Sequence, residues 1–180
     1  MYIAQEKRKS NIAEYIIYMW HIEDFIRACN FDIEKIKEKV MLPSYTSDQR
    51  KEVTEWFESL IQMMKEENIT EKGHLGILDN LVEELEEVHK KILSSQKQNL
   101  YNQLYSIAQQ NIKIYRSKSD NPDSGDIRLS LEALYLYLLM KISGREISLA
   151  TREAMDTFAK WLAHFSKIYL DWENGKTEID

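Results

Sequence analysis

Apolar residues recur at three- and four-residue intervals along most of the chain, a period that predicts helices rather than strands. Seven segments follow from it. The first covers about residues 10–29, with Asn11 and Glu14 spaced as an N-cap and its partner one turn in. A short second segment follows Asp32, a capping residue, and ends before Pro43. Thr46 and Gln49 repeat the capping spacing ahead of a third, where Val53, Trp56, Phe57, Leu60, Ile61 and Met64 share one face. Asn68 and Thr70 mark a break. The fourth segment runs to about Leu93 and aligns Leu75, Leu78, Leu81, Val82, Leu85, Val88 and Ile92. The fifth carries Leu100, Leu104, Ile107, Ala108 and Ile114. Residues 117–125, rich in Ser, Asp and Asn, read as a mobile loop. The sixth spans residues 126–142. Ser148 opens the seventh, which sets Met155, Phe158, Leu162, Phe165 and Tyr169 on one side. Residues 1–9 read as a charged leader and 173–180 as a frayed tail. Connections are short and no fixed-period repeat is present, so the expectation is an all-α, single-domain bundle over residues 1–180, its neighbours mostly antiparallel.

Composition narrows the class. Hydrophobic residues make up 43% and charged residues 30%, which excludes a disordered chain. Five Gly and two Pro are too few for a turn-rich sheet protein. A formal net charge of −6 opposes nucleic-acid binding, because such binding neutralises phosphates with Lys and Arg. The run Lys7-Arg8-Lys9 reads as part of the solvated leader. A single Cys29, set among apolar residues, rules out an internal disulfide and fits a reducing, cytoplasmic setting. The opening residues are polar rather than signal-like, and the apolar run over 129–142 is broken by Ser130, Glu132 and Lys141, so no membrane span is expected.

Little of the usual enzyme vocabulary is present. There is no Gly-rich phosphate loop, nucleophile elbow, His-Glu-x-x-His or Cys-x-x-Cys pair. Glu86-x-x-His89 has the spacing used by di-iron bundles, but those need a second copy and two further Glu, so neither metal nor cofactor is expected. Helical phase puts His21 and His164 on polar faces, and His74 and His89 on the apolar face of the fourth segment. The latter two lie roughly 22 Å apart along one straight helix and share no metal.

Polar residues on apolar faces are the candidate site. Glu23 falls inside the stripe of Ile12, Ile16, Met19 and Ile26, with Arg27 at its edge one turn on. His89 and Asn111 occupy similar positions on the fourth and fifth segments. Glu23, Arg27, His89 and Asn111 read as a buried hydrogen-bonded network or ion pair that sets packing. Alternatively they line a pocket for a small polar or anionic ligand. The sixth segment is apolar on two sides. Ile127, Leu131, Leu134, Leu138 and Ile142 make one face, and Leu129, Leu136, Leu139 and Met140 a second. That second face predicts a homodimer seam centred on Leu129, Leu136 and Met140.

Several short stretches also carry a resemblance: Ile3-Ala4-Gln5, Asn11-Ile12-Ala13-Glu14-Tyr15, Tyr18-Met19-Trp20, Glu23-Asp24, Thr70-Glu71-Lys72-Gly73-His74 and Glu146-Ile147-Ser148. Spread over nearly the whole chain, they resemble a family of all-helical proteins, mainly from Bacteroidetes, known only as a domain of unknown function. The resemblance implies a bacterial source and a helical fold, and supplies no catalytic or ligand residues. The functional expectation is therefore a non-enzymatic, self-associating scaffold or interaction module. The alternative is a ligand-binding or metal-dependent enzyme built around the interior polar residues.

Overall fold

A computed structural model describes residues 1–95 and 98–179. Eight helices make up the regular structure of those residues, with no strand among them: α1 (Tyr2–Ser10), α2 (Ile12–Ala28), α3 (Ile33–Val40), α4 (Ser47–Glu66), α5 (Gly76–Ser95), α6 (Asn99–Arg116), α7 (Asp126–Ile142) and α8 (Leu149–Glu173). Local side-chain chemistry sets the starts. Asn11 accepts from the Glu14 N–H, Asp32 from those of Glu34 and Lys35, and Ser148 from that of Thr151. Thr46 and Gln49 form a full capping box, with bonds of 2.9 and 3.2 Å. At the end of α8, Gly175 adopts φ +66, the Lys176 N–H reaches the Asp171 carbonyl and the Gly175 N–H that of Trp172. This is a Schellman closure, which favours glycine at that position.

The eighth helix is the one expected to be a leader. Residues 2–10 are helical because their contacts come from afar. Ala4 is buried, Lys7 meets Glu14 at 2.6 Å, and the Arg8 guanidinium grips Glu173 at the far end of the chain. The basic run sits on the last turn of α1, where it complements the helix dipole. The tail is likewise held, since Ile179 packs against the core; Asp180 lies outside the described residues.

One core joins these helices, and α7 runs through it, touching α2, α5, α6 and α8. Its first half is enclosed: Ile127, Leu129, Leu131, Ala133 and Tyr135 are all buried. Its second half emerges, so Leu136 is 51% exposed and Met140 half-buried. The continuous strip Leu129–Leu136–Met140 therefore does not exist, because Leu129 is fully buried by the surrounding helices. The inward face of α6 also differs from expectation. Tyr101, Ala108 and Ile112 are buried, with Tyr105 and Tyr115 half-buried on the same side. Leu100, Ile107 and Ile114 face outward. Tyrosine rings bury more area than aliphatic chains and win the inner face when both stripes compete.

Candidate functional site

The four polar residues singled out from the sequence lie in separate local networks. Glu23 is fully buried, but it does not bond to Arg27. Its carboxylate accepts from His74 Nδ1 at 2.6 Å and from the Leu75 N–H at 2.9 Å. Arg27, about an eighth exposed, binds Asp24 at 2.8 Å and donates to the carbonyls of Ile69 and Gly73. It thereby pins the loop that carries His74. Asn111, half-buried, donates to Thr157 Oγ1 at 3.1 Å. His89 is buried 2.5 Å from the Tyr101 hydroxyl, with the rings of Tyr105 and Trp161 edge-on at 4.7 and 5.2 Å. A single pocket built on Glu23, Arg27, His89 and Asn111 is thus not formed. His21 and His164 are half-buried rather than exposed, His164 beside the Tyr101 ring.

Glu86-x-x-His89 has a structural explanation. Glu86 reaches from α5 to the start of α7, where its carboxylate accepts from the Arg128 N–H at 2.9 Å. It acts as an N-cap supplied by another helix, since Gly125 has no side chain to cap with. Glycine leaves the room: a Cβ at position 125 would stand 2.2 Å from the Glu86 carboxyl. Burial pushes the Glu86 carboxyl up, against the opposing pull of the backbone bonds at residues 128 and 127. Gly125→Ala is expected to expel Glu86 from the cap and cost about 1–2 kcal/mol, the usual worth of an N-cap. Urea unfolding of Gly125→Ala, Glu86→Ala and the double variant checks it. The losses must be strongly non-additive; additive losses would show that the two residues do not share one interaction. Among the described residues no three His, Cys, Asp or Glu side chains gather as a metal site requires.

The arrangement with chemical potential surrounds His74. Gly73, at φ +93, turns the chain so that His74 sits just ahead of α5 and against α2. Its ring stacks on Trp20 at 4.4 Å and 18°, and Trp20 meets Tyr135 edge-on at 5.9 Å. The Tyr135 hydroxyl donates to Asp24, and burial together with that carboxylate pushes the phenol far above its ordinary range. The Glu23 carboxylate can only accept, so His74 Nδ1 carries a proton. In the neutral ring Nε2 then presents a lone pair. A cleft of about 310 Å³ opens here, lined by Trp20, His74, Tyr115, Glu132 and Tyr135 and rimmed by residues 118–121. Burial raises the Glu132 carboxyl, while Arg128 and His74 draw it down.

Sequence reasoning placed Glu23 in the core and missed its partner. The only local hint was Gly73-His74 directly ahead of an apolar stripe.

No helix among the described residues is long and apolar enough to cross a membrane. A family model described as a domain of unknown function (DUF4924) matches residues 1–176. No curated protein and no solved structure matches the chain.

Proposed function

The chain belongs to the domain-of-unknown-function family DUF4924, and we propose that it is a bacterial, cytoplasmic, non-enzymatic helical module that pairs with a second copy of itself through α6. The Bacteroidetes-like motifs and the lone buried Cys29 support the source and the reducing compartment. The outer face of α6 carries the pairing. Leu100, Ile107 and Ile114 are 55%, 56% and 57% exposed at seven-residue spacing. With Leu104 and Asn111 they alternate in steps of four and three, as the seam positions of a coiled coil do. Charge is missing from the sequence around Leu100 and Ile107, although Lys113 and Arg116 flank Ile114. Residues 98–112 hold no Asp, Glu, Lys or Arg in a chain that is 30% charged. Depletion of charge around large apolar residues marks the centre of a protein interface rather than ordinary surface. A twofold pairing of identical stripes covers both at once. The seam thus moves from α7, whose Leu129 is enclosed, to α6.

Sedimentation at about 50 μM, far above the micromolar Kd of a modest interface, tests this. Wild type should run at twice the 21.4 kDa chain mass. Ile107→Glu should give a monomer with an unchanged helical spectrum, and Leu136→Glu on α7 should leave the dimer intact. A monomeric wild type, or a dimer indifferent to Ile107→Glu, overturns the reading. The cleft at His74 favours a second, ligand-binding role.

A further inference from the structure

We infer that the cleft beside His74 binds a small organic cation, a primary ammonium or guanidinium group, between the Glu132 carboxylate, His74 Nε2 and the aromatic wall of Tyr115 and Tyr135. This goes beyond the self-association proposed above and stands on different residues.

Three groups in the lining can offer an acceptor to a cation: Glu132, Asp120 and His74 Nε2. The Nδ1 proton of His74 is committed to Glu23, which leaves Nε2 for a guest. Glu132 is half-buried and has no hydrogen bond from any described residue. The nearest guanidinium, Arg128, is occupied by Asp79 at 2.9 Å. Burial is the largest influence on the Glu132 charge and works against it, with Arg128 opposing in part, and a bound cation would offset that burial. Asp120 on the rim adds to the negative field, since both it and Glu132 act on the Tyr115 phenol. The cation in the lining, Lys118, is exposed on the rim beside Asp120, at the end of a flexible stem. Aromatic faces favour the same guest, because a ring quadrupole attracts a cation. An anion, by contrast, would meet Glu132 and Asp120, with the buried Glu23 and the partly exposed Asp24 behind them. The anionic ligand considered from the sequence is therefore disfavoured here.

Trp20 is fully buried in the cleft wall, and its indole Nε1–H has no acceptor among the described residues. A cation has no acceptor to offer that donor, so Trp20 contributes its ring to the wall and reports on occupancy by proximity.

Two sources share this chemistry: a free amine, and a Lys or Arg side chain of a partner. Calorimetric titration of the full chain with n-butylammonium, with butan-1-ol as its uncharged isostere, and with N-acetyl-lysine methylamide tests the site. Saturable binding of at least one cationic probe and none of the alcohol is expected. Glu132→Gln should weaken it by about tenfold or more. Asp156→Asn, an exposed acid on α8 paired with Lys160, should leave it unchanged. The Trp20 indole N–H resonance, assigned with Trp20→Phe, should shift with the same midpoint, and the same spectra show that Glu132→Gln is folded. Tighter binding of the butylammonium supports the site with a free amine as guest, and tighter binding of the lysine derivative supports it with a side chain as guest. The inference is overturned if neither cation saturates, if the alcohol binds as well, or if Glu132→Gln binds unchanged.

Discussion

Glu23→Ala should destabilise the folded chain by about 3 kcal/mol in denaturant unfolding, the combined cost of a stranded buried donor and the space left behind. The Glu23 carboxylate is fully buried and makes two bonds from different residues. Truncation strands the Leu75 N–H, and a buried donor left without an acceptor costs about 1–3 kcal/mol. It also frees His74, whose side chain is 25% exposed. That ring can turn to water and find an acceptor there, so its freed donor adds little to the total. The remainder is the cavity left by the lost side-chain atoms. Glu23→Gln keeps an acceptor for one donor and should lose about half as much. The cycle with His74→Ala isolates the pair and should give a coupling of about 1–2 kcal/mol. A loss below about 0.5 kcal/mol in Glu23→Ala would place the carboxylate in a solvated, surface-like setting and refute the arrangement.

Glu23 also shows what a sequence can carry. Its burial was legible, because helical phase is a local property and Ile16, Met19 and Ile26 bracket it on α2. Its partner was not. Arg27, one turn away, was the local choice, but a loop 51 residues on supplies His74 instead. The helix starts at Asn11, Asp32, Thr46 and Ser148 were legible for the same reason as the burial, since a cap is written within four residues. Glu86 is the opposite case. It caps α7 from α5, and its closeness to His89 in sequence suggested metal chemistry that its position in space explains otherwise. On α6 two stripes competed, and counting aliphatic residues alone chose the outer one. Including Tyr101, Tyr105 and Tyr115 reverses the choice and turns Leu100, Ile107 and Ile114 into a surface feature. The leader became α1 because its stabilising contacts, Arg8 with Glu173 above all, span nearly the whole chain.

Acid should weaken the fold through His89. Burial lowers this ring from 6.5 to about 4, opposed by the field of Asp126 and assisted by Lys90. The Tyr101 hydroxyl, itself pushed well above its usual range by burial, stays protonated and can donate to Nδ1 of a neutral ring. A protonated ring would lose that acceptor and bring a charge among Tyr105 and Trp161. The folded pKa lies below the unfolded one, so the unfolded chain binds the extra proton first. Stability from this group is fully present above about pH 6.5, is lost as pH falls toward about 4, and changes no further below that. A displacement of roughly 2.5 pH units corresponds to about 3 kcal/mol. Carboxylates titrate in part of the same window, so the reading must be a difference. Between pH 7 and about pH 4, wild type should lose about 3 kcal/mol more than His89→Gln, which cannot titrate and can still accept from Tyr101. Parallel stability curves for the two proteins would mean that His89 protonates as readily in the fold as in water, and that its buried bond to Tyr101 contributes nothing to the acid limit.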